Sequence, residues 1–249
     1  MDLIQKIVKS RITLKQILDK DYNTDDLPIY SVDEMDKLYK LQLTSDSPLK
    51  ILGINGLACH FTVTHRVLDK HKLHVYYYNF PKIGENTTKI NRTITNKINT
   101  LYDDKIIKET DSIFIILNES INETTVNLYE SLKLLLHQEE FDMTEMKKQM
   151  DEKNIKLQYK HFRNLFMFDI NTLQINILEH NLVPKHEVIK DEDEKKEILD
   201  KCNSQLHEMP IISRNDPISK LLMCMPGDIC KIDRISKTSG NYEYYRVCK

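Results

Sequence analysis

Cys59, His60, His65, His71 and His74 crowd into a short stretch, and thiolate with imidazole is a donor set that zinc takes. Their intervals argue against a shared site. Neighbouring strand residues face opposite ways, so His60 and His65 diverge on one strand, and no spacing matches a zinc pattern. Ordinary surface or sheet histidines are expected, without a metal. Asp151-Glu152-Lys153 and Glu194-Lys195-Lys196 carry the letters of a metal-dependent nuclease. That chemistry needs clustered carboxylates and a lysine on adjoining strands, whereas both triplets fall in charged, helix-prone segments. Solvated helix faces are expected there, and no catalytic residue. No glycine-rich phosphate loop or nucleophile elbow occurs, and no cofactor is expected. One stretch is locally basic: Arg66, Lys70, Lys72, Lys82, Lys89, Arg92 and Lys97 stand against Asp69 and Glu85. Lys82 and Lys89, with Thr87 and Thr88, can donate to phosphates, which positions DNA without reading its sequence.

These groups need a scaffold, and the chain has 249 residues for one large domain or two ordinary ones. A 40% apolar and 30% charged composition with no long apolar run predicts a globular, intracellular protein without a membrane partner. Five cysteines in an odd, scattered set, with no C-x-x-C, predict reduced and mostly buried thiols. The net charge is −2, and residues 180–249 carry twelve acidic and twelve basic side chains. An autonomous DNA-binding domain normally shows a strong basic excess, so any DNA contact must be local and assisted.

Apolar residues from Leu3 to Leu18 recur at helical spacing, predicting an amphipathic helix that ends near Asp19. Ser31 and Glu34 form a capping box for a second helix, and Pro48 closes that unit. Three runs then read as strands: LKILGI from Leu49, HFTVTH from His60, and KLHVYYYNF from Lys72. Ile90, Ile94, Ile98 and Leu101 trace a helix, DSIFIILN a buried strand and NETTVNLYESLKLLL a further helix, the rhythm of an α/β domain. Residues 137–158, charged and sparsely apolar, read as an exposed helical insertion. Leu173, Ile175 and Ile177 alternate as a strand, and Asp191 with Glu194 caps the next helix. The boundary is expected near 170–178, giving domains 1–174 and 175–249. In the second, Asp216 and Pro217 start a short helix, Pro226-Gly227 turns into the strand DICKIDRI, and Gly240-Asn241 turns into YEYYRVC. The expected class is an α/β first domain and a small α+β second one.

The second domain carries a specific pattern. His180, Leu182, Val183, Pro184 and His186 form H-x-L-V-P-x-H; Pro210 lies in the run MPIISRNDPISK, which ends at Lys220 and contains the Asp216-Pro217 turn; Gly227, Ile229, Lys231, Ile232, Arg234, Ser236, Thr238, Gly240, Tyr242, Tyr245 and Arg246 follow in order. This resembles the C-terminal assembly domain of the fifth subunit shared by eukaryotic nuclear RNA polymerases, a family with a counterpart in archaea. KSRITLKQILDKDY, VYYYNFPKIG and SIFIILN are similar to that family's eukaryotic jaw domain. The archaeal counterpart lacks the jaw, so the resemblance points to a eukaryotic chain, acting in the nucleus, or to a large DNA virus, acting in host cytoplasm or virion. Two departures concern the docking surface. Lys220-Leu221-Leu222-Met223 stand where the family often has arginine, aromatics and glycine, and Ile211 replaces a basic residue. Lysine lacks arginine's planar fork, so its acceptor must be held differently.

The resemblance implies a non-catalytic subunit of a DNA-dependent RNA polymerase. Its C-terminal domain would dock on the largest subunit, among other polymerase subunits, and its jaw would lie beside downstream double-stranded DNA. The loops PKIGENTTK and NESINE, with Lys82, Thr87, Thr88, Lys89 and Asn122, align to that DNA surface. Two other classes stand beside it: a nuclease-like nucleic-acid-processing enzyme, and a transcription adaptor that has left the polymerase.

Overall fold

The computed structural model describes residues 2–41, 47–53, 55–85, 89–138, 140–236, 238 and 240–249. They form two compact units, residues 1–148 with 162–175, and residues 149–161 with 176–249. Among the described residues no helix is long and apolar enough to cross a membrane.

The first unit starts with α1 (Leu3–Leu18), which ends at Asp19, and the two-residue strand β1 (Tyr22–Asn23). In α2 (Val32–Lys40) the Ser31 side chain accepts from Glu34 N–H and the Glu34 carboxylate accepts from Ser31 N–H, the reciprocal cap its sequence predicts. Strands β2 (Phe61–His65) and β3 (Lys72–Tyr78) follow, then α3 (Thr93–Asp103), β4 (Ser112–Leu117), α4 (Glu123–Gln138), α5 (Thr144–Glu152), of which residues 149–152 belong to the second unit, and β5 (Leu165–Asp169). The sheet order is β1-β2-β3-β4-β5. The first two pairings are antiparallel, while β3-β4 and β4-β5 are parallel. Parallel neighbours need crossover connections, and helices supply them here. The three parallel strands β3, β4 and β5 are buried almost end to end, as a parallel sheet covered on both faces requires. On one face Tyr76, Tyr78, Ile113, Ile115, Leu117, Leu165 and Met167 pack with Ile94, Ile98 and Leu101 of α3 and Leu132 and Leu136 of α4. The other face is tied to α1, where Ser10 Oγ and Tyr77 Oη share a 2.9 Å hydrogen bond.

Three expectations fail here. LKILGI is no strand over its described residues 49–53: Pro48 opens a 3-10 turn through Leu52, because its fixed φ and absent N–H suit a first helical turn. Leu173, Ile175 and Ile177 do not lie in a strand either, since 3-10 turns cover Ile170–Leu173 and Ile177–Glu179. The strand is β5, just upstream. The 137–158 segment is helical in part, yet it is not simply exposed: Phe141, Met143, Met146 and Met150 are all buried.

The second unit is a four-stranded sheet in the order β6-β8-β9-β7, from β6 (Lys185–Ile189), β7 (Ile211–Ile212), β8 (Ile229–Ser236) and β9 (Gly240–Cys248). Helices α6 (Glu192–Cys202) and α7 (Pro217–Leu221) complete it. Asp191 Oδ1 accepts from Asp193 and Glu194 N–H at the start of α6. Asp216 Oδ1 accepts from Ile218 and Ser219 N–H at the start of α7, with Pro217 at its first position. Ile189, Ile198, Met209, Ile229 and Val247 pack on the α6 face, and Ile212, Cys224, Cys230, Ile232 and Cys248 on the other. Gly240-Asn241 does not form the hairpin turn expected of it. Gly240, at φ +67°, pairs with Ser236 and Asn241 with Ile235, so both belong to β9.

Candidate functional site

The H-x-L-V-P-x-H run folds as a loop that leads into β6, which begins at Lys185, and its two histidines shape it. His180 Nδ1 accepts from Leu182 N–H at 3.2 Å, and the His180 carbonyl accepts from Val183 N–H at 2.8 Å. At the other end His186 Nδ1–H donates to the Pro184 carbonyl at 2.6 Å, which fixes that tautomer. Held at both ends, the loop pushes Leu182 into solvent, 86% exposed. Ile235 is 87% exposed at the end of β8. Asn181 to Lys185, Asp233 to Ile235 and Asn241 to Glu243 line one open groove of about 760 Å³. Of the residues singled out from sequence, Leu182, Val183, Pro184, Arg234 and Tyr242 therefore meet in one place. Arg234 pairs with Tyr242 across the hairpin and stacks its guanidinium 4.4 Å from the Tyr244 ring centroid.

The others act elsewhere in the unit. Glu243 gathers Lys231 at 2.6 Å, Lys201 at 3.0 Å and the Tyr245 hydroxyl at 2.6 Å. These bonds, Lys231 first, bring its carboxyl down to about 2, while burial and Glu243 raise the Tyr245 hydroxyl. Arg246 lies 5.5 Å from the Tyr244 ring centroid on the opposite face of β9 from Tyr245. Gly227, at φ +83°, donates its N–H to the Cys248 carbonyl, and the Pro210 carbonyl accepts from Val247 N–H. Asp216, Pro217 and Lys220 build α7, outside the groove.

Asp228 is the residue that sequence reading missed. Fully buried, its carboxylate accepts from Met225 N–H at 2.9 Å, Lys195 Nζ at 3.0 Å and His161 Nε2 at 3.0 Å, and lies 3.0 Å from Lys160 Nζ. Burial alone would raise this carboxyl, but the His161 bond, Met225 N–H and Lys160 hold it well below the usual carboxylate range. Burial lowers His161 despite Asp228, and its Nδ1 accepts from Gln158 N–H, so a neutral ring presents Nε2–H to the carboxylate. Lys195, although buried, is held charged by Glu192 and Asp228. It therefore does not sit on a solvated face as its triplet suggests, whereas Glu194 and Lys196 of the same triplet are exposed. Lys156 pairs with Asp193 in the same unit. Residues 149–161, of which 149–158 read from sequence as part of an insertion, thus fasten onto the C-terminal sheet. A lone Asp after Pro-Gly looks like turn chemistry, and nothing local announces three side-chain partners from two other segments.

In the first unit the histidines are hydrogen-bonding staples. His60 Nδ1 accepts from Tyr77 N–H; His65 Nδ1 from Val67 and Leu68 N–H; His71 Nδ1 contacts the Thr110 carbonyl; and His74 bridges Thr62 and the buried Asp111. Of the basic stretch, Arg66 pairs with Asp19, Lys70 with Glu145, and Lys97 lies over Tyr78. Lys82, Lys89 and Arg92 are exposed. Ile90 N–H donates to Glu119 at 2.6 Å, which ties the loop at 89–90 to the loop at 118–122. Asn122 caps α4 by accepting from Thr125 N–H and Oγ1, so its side-chain oxygen is already engaged. Thr87 and Thr88 lie outside the described residues.

Residues 175–248 match the family model described as RNA polymerase Rpb5, C-terminal domain. The DNA-directed RNA polymerase subunit Rpo5 of Methanosarcina barkeri is 40% identical over 74 residues, which are 30% of this chain and 94% of that relative. The Pyrococcus abyssi Rpo5 is 45% identical over 74 residues, 30% of this chain and 89% of the relative. That of Methanosphaera stadtmanae is 39% identical over 77 residues, 31% and 99% respectively. The match takes in the groove loop, the Asp216-Pro217 helix start and the whole β8-β9 hairpin. On the strength of this near-complete coverage of its relatives, the chain belongs to the Rpb5 family of RNA polymerase subunits, which includes archaeal Rpo5.

Proposed function

We propose that this chain is a non-catalytic subunit of a multisubunit DNA-dependent RNA polymerase. Its C-terminal domain, residues 175–249 extended by 149–161, docks on the largest subunit, and residues 1–148 with 162–174 act as a jaw beside downstream duplex DNA. The observation that carries this reading is the match over 175–248 to relatives that are themselves named polymerase subunits and are covered almost whole. Physics supplies the docking surface. Leu182 on the stapled loop and Ile235 on the hairpin expose nearly their full side chains, beside Arg234 and Tyr242. Apolar anchors rimmed by aromatic and Arg side chains are how protein interfaces are built. Lys82, Lys89 and Arg92 supply the DNA-facing charge of the jaw. The polymerase works in the nucleus of a eukaryote, or in the cytoplasm or virion if a large DNA virus encodes it. Affinity purification of the tagged full-length chain should recover the largest polymerase subunits, and their absence from the purified complex would defeat the assignment.

A further inference from the structure

The sheet of the first unit ends on an incomplete strand. β1 pairs only with Thr64 and His65 of β2, and the chain then leaves the sheet through the turn that Leu27 N–H closes on the Thr24 carbonyl. Among the described residues, Phe61 to Val63 therefore have a strand neighbour on the β3 side alone. His65 N–H donates to His71 on the β3 side, and Arg66 N–H donates to Asp21 on the β1 side. Alternation along an antiparallel strand then turns the odd-numbered residues of β2 inward and points the Thr62 N–H and carbonyl at the open edge. Unpaired edges of this kind template the addition of another strand.

Beside that edge lies a groove of about 330 Å³, lined by Arg11, Tyr30, His60, Phe61 and Val63 among others. Arg11 is 94% buried, being 6% exposed. Its guanidinium lies 4.6 Å from the Phe61 ring centroid and 5.3 Å from that of Tyr30, and donates one hydrogen bond, from Nη1 to the Cys59 carbonyl at 2.7 Å. Among the described residues, Arg11 Nε and His60 Nε2 are buried without a hydrogen-bond partner, and Arg11 forms no ion pair. Asp26, also on the groove lining, is exposed and unpaired with it. Buried cations are ordinarily matched by an anion, because desolvating the charge is costly and stacking offsets only part of that cost.

We infer that the Phe61–Val63 edge of β2 accepts an extended segment of a partner protein as an added strand, with an Asp or Glu side chain of that segment reaching Arg11. Strand addition gives such a partner main-chain bonds at Thr62, and the carboxylate on the α1 face gives it selectivity. This surface lies in the first unit, outside residues 175–248, and its test uses the free chain, so it stands or falls apart from the polymerase assignment.

The probe is a fluorescein-labelled ten-residue peptide with a central Thr-Val-Glu-Val-Thr core, titrated into the full-length chain and read by fluorescence polarisation. A matched Gln-core peptide serves as comparison. The Glu-core peptide should bind at least tenfold more tightly than the Gln-core one. Thr62→Pro, which removes the outward N–H at an edge position where proline is tolerated, should weaken binding at least tenfold relative to Thr62→Val, which keeps the N–H and loses only the hydroxyl that meets His74, with the two variants unfolding within a few degrees of each other. Arg11→Gln should abolish the preference for Glu; if it unfolds the chain, Thr62→Pro and protection of the Thr62 amide from hydrogen exchange on peptide binding decide the matter. No binding at millimolar peptide, equal binding of the two peptides, or binding indifferent to Thr62→Pro would overturn the inference. So would concentration-dependent dimerisation lost in Thr62→Pro, which would assign the edge to a second copy of the chain.

Discussion

Replacing Asp228 with Asn removes one negative charge from a site that water does not reach. The amide oxygen can still take the Met225 N–H, but Lys195 keeps only Glu192 as a counter-ion, and His161 loses its charged acceptor. Breaking a buried pair from one side costs about 3–5 kcal/mol. Glu192 and the partial exposure of Lys160 soften the loss, which puts the expected cost near the lower end, ~3 kcal/mol, or roughly a 150-fold shift in the folding equilibrium of this unit. For a domain of this size that lowers the melting temperature by roughly 12 °C or more. Hydrogen exchange resolved by segment should show the largest loss of protection in residues 149–161 and in the turn before β8. The pH dependence has a defined sign. Asp228 has a depressed folded-state value, so its contribution is full above the ordinary carboxylate range and is lost as pH falls below about 4. His161 is also lowered on folding, so its neutral form is favoured and stability begins to decline below about pH 6.5. A change under about 0.5 kcal/mol in Asp228→Asn, or a coupling to Lys195→Met below that size in a double-mutant cycle, would refute the clamp.

A fragment of residues 149–249 should melt at a higher temperature than one of residues 175–249, because only the longer one keeps Lys160 and His161; equal melting curves would count against it. Lys82→Glu with Lys89→Glu should leave assembly intact but weaken retention of downstream DNA by the polymerase about fivefold, a change of ~1 kcal/mol. The deficit should be alike for all sequences and larger in low salt, as for screened phosphate contacts. Unchanged retention and salt response would reduce these lysines to a solvated face.

Local rules were the most legible part of this sequence. Ser31, Asp191 and Asp216 each cap the helix their spacing predicts, since a short side chain next to free N–H groups needs no distant partner. The groove loop and hairpin were legible through family pattern, although the pattern says nothing of how His180 and His186 work as staples. Longer-range relations were opaque. The run LFMFD lacks alternation, so β5 hides among short apolar stretches that periodicity cannot sort. Met143, Met146 and Met150 stand three and four residues apart, a helical stripe within a segment whose charge drew attention to its other face. Asp228 gave no signal because its partners come from residues 160, 161 and 195, and only the fold brings them together.

Docking through the groove is the central claim, and two of its side chains test it directly. Leu182→Asp with Ile235→Asp changes residues that are almost fully exposed, so the melting temperature of the free chain should stay within a few degrees. Placed in an interface core, two desolvated carboxylates without partners should abolish stable association. Quantitative affinity purification of the tagged variant beside the unaltered chain should show the largest polymerase subunit reduced at least tenfold. Full recovery of that subunit by the folded variant would contradict the claim that this groove is where the protein docks.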